Sequence, residues 1–197
     1  MRFVLFLIST LILMPVSSAL TADGSTLPVA KPAPVLTKTE KLNALFLDLK
    51  KAKSQAVAQG VAGRINQEWA QSGSASVDLL MQWAYEAMNS QNYPVALDFL
   101  DEVVVLQPKF PEGWNRRATL HFLMNNYAKS MVDIEKTLEL EPRHFGALAG
   151  MGQIFIGLDR KELALKAYER ALDVYPMMRD VQKQVGENAD ELAGSRI

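Results

Sequence analysis

The sequence contains no cysteine and only two histidines among its 197 residues. The lack of cysteine excludes disulfides, thiolate metal sites, a catalytic thiol and a lipidated N-terminal cysteine. No second histidine or carboxylate lies at ligand spacing on the same helix, so we expect no metal site from His121 and His144. A glycine-rich phosphate loop, a Ser-His-Asp set and a catalytic carboxylate pair are also missing. These absences predict a protein that is not an enzyme and needs no cofactor.

The sequence also lacks an excess of charge of either sign. With 21 basic and 22 acidic side chains, its formal net charge is −1 at pH 7. Such a balance gives no general attraction to phosphates or to anionic lipid. We therefore expect no nucleic-acid partner. The hydrophobic fraction of 49% and the charged fraction of 22% are typical of soluble globular domains.

Residues 1–19 have the pattern of a secretory signal peptide. Arg2 precedes the apolar run Phe3–Met14, and Pro15 and small residues follow up to Ala19. Cleavage after Ala19 is the favoured interpretation, because a membrane-spanning helix needs about 20 apolar residues. An uncleaved anchor is the alternative. An exported chain without disulfides fits the bacterial periplasm, with no stable membrane insertion after cleavage.

Residues 20–38 are predicted to form a proline-rich linker. Three closely spaced prolines, Pro28, Pro32 and Pro34, favour extended and unpaired backbone. A spacer is the simplest interpretation of this segment. A polyproline ligand for another protein is the alternative.

Helical periodicity begins at residue 39. Two apolar stripes, each with spacings of three or four residues, predict two helices within residues 39–76. The residues of these stripes are Leu42, Leu45, Phe46, Leu49, Val57, Val61, Ile65 and Trp69. The two helices have the length of one repeat unit without its signature residues. We interpret them as a degenerate N-terminal pair that caps the repeats described next.

Three prolines, Pro108, Pro142 and Pro176, stand at one constant spacing along the chain. A fixed period of about 34 residues predicts stacked helix pairs, each closed by its proline, which removes a backbone donor. The units run over residues 77–110, 111–144 and 145–178. Each has a small residue at the same position, namely Ala84, Ala118 and Gly152. Residues 179–197 are predicted to form a capping helix, since every unit leaves an apolar face for a neighbour.

The third unit resembles the tetratricopeptide repeat (TPR) family. It reads Leu148-x-x-Met151-Gly152-x-x-Phe155, then Ala164-x-x-x-Tyr168-x-x-Ala171, then Pro176. The resemblance implies an all-α fold, an α-α superhelix in which helix-turn-helix repeats form a solenoid. The stretch Glu112–Ala118 resembles small periplasmic TPR proteins of alphaproteobacteria. That likeness implies a non-catalytic role in assembling complexes of the cell envelope.

The same resemblance implies that the first helix of each unit lines a concave groove for an extended or helical peptide. The expected groove residues are Met81, Tyr85, Met88, Asn115, Arg116, Thr119, Phe122, Gln153 and Ile156. Met88, Phe122 and Ile156 recur at the period of the repeat and form an apolar row, unless they pack between neighbouring first helices. Arg116 is the obvious cation of the groove. A clamp for a C-terminal carboxylate is disfavoured, because Gly146 and Gly150 occupy two of its slots.

The middle unit has polar residues at slots that are usually apolar or small: Arg117, His121, Ser130 and Thr137. A buried guanidinium needs carboxylate partners, because an unpaired buried charge is very costly. Asp101, Glu102 and Asp133 are the candidates. We interpret the group as a satisfied polar network that fixes how the units stack. A ligand pocket, or a pH-sensitive contact between His121 and Arg117, is the alternative.

The sequence thus predicts a non-catalytic adaptor of the bacterial envelope that binds a peptide or helix of another protein. Two alternatives remain open at this stage. The first is self-association into a homodimer through residues 39–70 or 177–193. The second is a small-ligand or metal-responsive module around Arg117 and His121.

Overall fold

The computed structural model describes residues 36–194, with side chains given as far as Glu191. The predicted signal peptide and linker residues 20–35 lie outside this range. The described part consists of nine helices and no strand, as the all-α prediction requires. The helices are α1 (Lys38–Lys51), α2 (Gln55–Ala70), α3 (Ala75–Asn89), α4 (Tyr93–Leu106), α5 (Pro111–Leu123), α6 (Tyr127–Leu140), α7 (Phe145–Gly157), α8 (Lys161–Val174) and α9 (Arg179–Gly194). None of these helices combines the length and the apolar character that a membrane span requires.

Three helix pairs form the solenoid: α3 with α4, α5 with α6, and α7 with α8. Consecutive pairs stack through α4 on α5 and α6 on α7, and α9 packs on α8. Within each pair the turn passes through a residue with left-handed backbone. These residues are Gln91, Asn125 and Asp159, with φ of 57°, 58° and 54°, and they recur with the same period as the prolines. A left-handed residue just after a helix ends that helix and turns the chain. The repeat is therefore present in the backbone conformation of the turns as well as in the sequence.

The small residues inside the pairs permit close helix packing. Ala84 and Ala118 are buried, and Gly152 lies directly against the ring of Tyr168. A Cβ atom added at Gly152 would overlap that ring. The sequence slot predicted to be small is therefore small because an aromatic side chain of the second helix fills the space.

The N-terminal pair α1–α2 does not lie where a capping pair would lie, so that prediction is wrong. Instead of stacking in front of α3, the pair packs along the edge of the solenoid where one unit passes to the next. Apart from the exposed Val57, its apolar stripes form one core with Phe145 and Tyr175, and with the half-buried Met177 and Met178 beside them. Periodicity showed which face of each helix is apolar. Periodicity did not show which surface covers those faces. In the structure, aromatic residues between the units cover them.

The C-terminal helix α9 packs on α8 of the last pair. Val181 is buried and Val185 is half-buried against Tyr168 and Ala171 of α8. The apolar face of the third unit is thereby removed from water. The two ends of the solenoid therefore differ, because α9 covers the last unit whereas α1–α2 leaves the outer face of α3–α4 open.

Candidate functional site

The first helices of the second and third units line a cavity of about 240 Å³. Asn115, Thr119 and Phe122 of α5 face Gly150 and Gln153 of α7 across it. The floor is apolar, formed by Ala118, Ile134 and Ile154. Thr119 and Gln153 are exposed at the rim, where they can form hydrogen bonds with a bound molecule. The sequence analysis predicted Asn115, Thr119, Phe122 and Gln153 for the groove, and the structure brings them together.

A second cavity of about 550 Å³ adjoins the first and shares Phe122 and Gln153 with it. Ile156, also expected in the groove, lines this second cavity together with Tyr127. Helix α9 supplies the opposite wall through Asp180, Lys183 and Gln184. The groove therefore lies between α5, α7 and α9, with an apolar interior and polar side chains along its edge. The contribution of α9 was missed by sequence reasoning, which treated it only as a cap.

The expected groove residues of α3 lie in neither cavity. Met81 and Met88 are half-buried in the core with Ala84 and Leu120, and the ring of Tyr85 is exposed. Met88 therefore packs between neighbouring first helices, which was the alternative for the apolar row. Phe122 and Ile156 also touch core clusters, but they keep one side on the second cavity. Of the predicted groove, the structure joins the part on α5 and α7.

Arg116 is not a free groove cation, contrary to expectation. Its Nη2 donates to Glu112 Oε1 at 2.7 Å, one turn earlier on α5. Glu112 Oε2 also accepts a hydrogen bond from Asn115 Nδ2 at 3.0 Å. The cation is thus committed to an internal pair. The one-turn spacing between Glu112 and Arg116 was the sequence signal that could have revealed this.

The carboxylate of Glu112 is buried and also reaches His144 of the next unit. His144 Nε2 lies 3.2 Å from Glu112 Oε2, while His144 Nδ1 accepts from the backbone N–H of Ala147 at 3.1 Å. Because Nδ1 is an acceptor, Nε2 carries the proton and donates to Glu112. Burial by itself raises the pKa of Glu112, but the His144 hydrogen bond and the charge of Arg116 bring the pKa below its ordinary value. The negative charge is therefore retained inside the fold.

Most polar residues of the middle unit are satisfied by hydrogen bonds, Arg117 by carboxylates and two hydroxyl groups by backbone carbonyls. Arg117 Nε and Nη2 each donate to the Asp133 carboxylate at 2.8 Å, and Nη1 donates to Asp101 Oδ1 at 2.9 Å. Ser130 Oγ donates to the carbonyl oxygen of Ala118 at 2.7 Å, and Thr137 Oγ1 donates to that of Asp133 at 2.8 Å. Two of the three candidate carboxylates are confirmed. Because Asp101 belongs to α4, the Arg117 contacts tie the first unit to the second.

His121 is the exception among these polar residues. It is buried, its Nε2 lies 3.9 Å from Asp133 Oδ2, and its Nδ1 has no hydrogen-bond partner among the described residues. Burial lowers the pKa of His121, so the neutral ring is favoured. The contact with Arg117 that the sequence analysis gave as an alternative is electrostatic, since the charge of Arg117 adds to burial in lowering the pKa of His121. Within residues 36–191, no group of three or more metal-ligating side chains could hold a metal ion.

The fold defines the chain as an all-α helical-repeat solenoid. The family model described as "Tetratricopeptide repeat" matches residues 145–176. A TPR repeat-containing protein of the alphaproteobacterium Rhizobium etli is 51% identical over 157 residues, which are 80% of this chain and 77% of that protein. The chain belongs to the tetratricopeptide repeat family. Proteins of this family act as interaction modules that bind peptides and are typically non-catalytic.

More distant proteins have the same fold. Small glutamine-rich tetratricopeptide repeat-containing protein 2 of Saccharomyces cerevisiae is 26% identical over 117 residues, 59% of this chain and 34% of that protein. The first TPR of Spaghetti (RPAP3), solved with the HSP90 peptide SRMEEVD, superposes with a TM-score of 0.57 at 21% identity, covering 59% of this chain and 93% of that one. A crystal structure of MamA superposes with a TM-score of 0.54 at 14% identity, covering 77% and 82%. At such low identity the two solved structures support the fold only.

Proposed function

We propose that this protein is a non-catalytic adaptor of the bacterial cell envelope, which binds a peptide or helical segment of another protein between α5, α7 and α9. The observation that carries this proposal is the pair of adjoining cavities along the first helices. Their apolar floor offers area for burial, and Asn115, Thr119 and Gln153 offer hydrogen bonds at the edge. Burial contributes about 25 cal/mol per Å² of apolar area, from which the cost of association is subtracted.

The charges of the groove indicate what kind of segment fits. Arg116 is held by Glu112, and α7 presents Gly146 and Gly150 where a cation would be needed to clamp a terminal carboxylate. In the second cavity Lys183 lies 3.6 Å from Glu187, and Asp180 lines the same wall. An acidic tail such as the SRMEEVD peptide of the RPAP3 structure would meet no uncommitted pair of cations there. We infer recognition through apolar side chains and backbone hydrogen bonds.

The assignment to the cell envelope rests on the pattern of residues 1–19. Its test is the mass of the protein purified from fractionated host cells. Cleavage after Ala19 and recovery with the periplasmic fraction would support the assignment. An intact N-terminus in the cytoplasmic fraction would contradict it while leaving groove binding untouched.

Groove binding itself can be tested with a photo-crosslinking amino acid placed at Thr119 or Gln153 in the native host. Both side chains are exposed at the rim, so the substitution should not disturb the core. Matched controls are the same amino acid at Glu135 of α6 and Glu169 of α8, which are exposed and line neither groove cavity. We expect one discrete crosslinked partner from the groove positions only. The same partner from control and groove positions alike, or crosslinks from the controls only, would contradict the proposal.

Self-association through the terminal helices receives less support from the structure. The apolar stripes of α1 and α2 are buried on the solenoid edge, and Val181 of α9 is buried on α8. Most of the apolar surface expected to form a homodimer is therefore covered within one chain, although Leu47 and Val57 remain 59% and 55% exposed.

A small-ligand module is favoured by one observation, the buried and unpartnered Nδ1 of His121. A cavity of about 280 Å³ is lined by His121, Arg117, Lys129 and Val132. Ligand cavities are commonly about 300 to 1,000 Å³, so only a compact polar molecule would fit. A thermal-shift screen of such molecules, with His121→Ala as the control, tests this second candidate. A shift that persists in His121→Ala would exclude the site.

A further inference from the structure

The outer side of α3 and α4 carries four large apolar residues in stacking positions. We define the first-repeat face as Leu79, Trp83, Val95 and Phe99. Their counterparts in the second unit are Gly113, Arg117, Lys129 and Asp133. The counterparts in the third unit are Ala147, Met151, Leu163 and Ala167.

In the second and third units the counterparts of Leu79 and Trp83 meet the preceding pair. A Cβ atom at Gly113 would lie 2.7 Å from Val103 Cγ1 of α4, and Arg117 donates to Asp101 of α4 at 2.9 Å. In the third unit Ala147 is buried, and Met151 packs with Ile134 of the second unit. Leu79 and Trp83, at the same positions of α3, are therefore suited to contact with another helical surface. Val95 lies at the border of this face, since its counterpart Leu163 is 37% exposed in the third unit.

No such surface covers the first-repeat face in the described part of the chain. Leu79 and Trp83 are each 42% exposed, and Val95 is 38% exposed. The rings of Trp83 and Phe99 lie 5.6 Å apart and border an open cavity of about 440 Å³, with Glu86 at its edge. Helices α1 and α2, which come before α3 in the chain, bury their apolar stripes elsewhere, with Phe145 and Tyr175.

The charged side chains of α3 and α4 have one sign. Residues 75–106 contain five acidic side chains and no lysine, arginine or histidine: Asp78, Glu86, Asp98, Asp101 and Glu102. Asp101 is paired with Arg117. Asp78 accepts a hydrogen bond from the backbone N–H of Ser72 and Glu86 accepts one from the neutral side chain of Gln82, so both keep their negative charge, as do Asp98 and Glu102. A second copy docking by this same face would bring two acidic surfaces together, which is unfavourable. A basic partner would gain from the same charges.

We propose that the first-repeat face binds an amphipathic helix of another protein, one whose apolar stripe is flanked by lysine and arginine. The helix takes the place of a preceding repeat. Trp83 is the central contact, since large aromatic residues at the centre of an interface carry much of the binding energy. The acidic residues beside the stripe select for basic flanks. This surface lies outside the groove, so the adaptor would hold two partners at once.

The test uses two synthetic peptides of about 18 residues, long enough to form a helix on binding. One has leucine at helical spacing with lysine elsewhere, and the other has the same leucines with glutamate. Binding of each labelled peptide to the full chain is measured by fluorescence anisotropy in about 0.15 M salt, where the Debye length is about 8 Å. We expect the leucine–lysine peptide to bind and the leucine–glutamate peptide to bind at least about tenfold more weakly.

Three variants locate the binding. Trp83→Ala should weaken binding of the leucine–lysine peptide at least about tenfold. The double substitution Glu86→Lys with Glu102→Lys keeps the apolar residues of the face. It should also weaken binding of the leucine–lysine peptide. Leu158→Ala, which changes an apolar residue after α7 that is 49% exposed, should leave the affinity unchanged.

Three results would overturn the proposal. They are no binding of the leucine–lysine peptide, equal binding of both peptides, and equal affinity in Trp83→Ala and the parent chain. A dimer in sedimentation that Trp83→Ala dissociates would assign the face to a second copy instead. None of these results bears on crosslinking from Thr119 or Gln153. The proposal for the groove and the proposal for the first-repeat face are therefore tested independently.

Discussion

The indole ring of Trp69 stacks on the imidazole ring of His144, with centroids 4.1 Å apart and planes 9° apart. Trp69 belongs to α2, whereas His144 caps the start of α7 and contacts Glu112 of α5. One pair of rings therefore joins the N-terminal helices to the second and third units. Beside it, Arg143 donates to Asn43 of α1 and lies over the ring of Phe46.

Trp69→Ala should loosen this attachment. The side chain is 4% exposed, and truncation of a buried aromatic residue typically costs about 3 to 5 kcal/mol. Urea unfolding of the full chain measures the loss. Trp83→Ala removes the same side chain at a site that is 42% exposed and should cost less than about 1 kcal/mol. Equal losses in the two variants would show that α1–α2 is not attached in this way.

Gly152→Ala should destabilise the third unit. The added Cβ would overlap the Tyr168 ring, and overpacking of this kind typically costs about 1 to 3 kcal/mol. Gly63→Ala is the matched control, because a Cβ there meets no atom within 4 Å and alanine is the better helix former. Thermal unfolding should move in opposite directions for the two variants. A shift of the same sign in both would contradict the close packing of α7 on α8.

Arg117→Met should lower the free energy of unfolding by about 3 to 5 kcal/mol, because it leaves the Asp133 carboxylate, which is 2% exposed, without its partner. Adding Asp133→Leu to Arg117→Met should recover part of the loss, since no buried charge then remains. The measurement is the urea midpoint of the two variants. An unchanged midpoint in Arg117→Met together with lost partner binding would make Arg117 a binding residue rather than a structural one.

The stability of the protein should fall on mild acidification because of His121. Burial holds the pKa of His121 below its ordinary value, so the unfolded chain binds a proton that the folded chain resists. The stabilising contribution is complete above the unfolded pKa of about 6.5 and is lost as the pH falls below it towards the folded pKa. His121→Gln should flatten the dependence of the urea midpoint on pH between about 7 and 5. An unchanged pH dependence in His121→Gln would show that His121 does not cause the loss of stability on acidification.

The Glu112 carboxylate acts in a different pH window. Its pKa is lowered in the fold despite burial, so its contribution is present above the unfolded pKa of about 4.3 and is lost as the pH falls below that value. The two groups can therefore be separated by the pH at which stability is lost. A loss below about pH 4 that persists in His121→Gln belongs to carboxylates such as Glu112.

Much of the groove could be read from the sequence because a solenoid places residues that are one period apart on the same face. Thr119 and Gln153 were found in this way, and the structure puts both at the rim of one cavity. Met88 could not be assigned in the same manner. Its slot faces both the groove and the neighbouring first helix, and only the packed side chains decide between them.

The sequence by itself determined the helix pairs, their period and their order, since these depend on local periodicity, proline positions and contacts between consecutive pairs. It also named the carboxylates that hold Arg117, because a buried cation requires them. Only the tertiary structure decided where α1–α2 packs, that Arg116 is committed to Glu112, and that α9 forms a wall of the groove. These features depend on which distant surfaces meet. Local patterns state how apolar a face is, but not which of several apolar surfaces will cover it.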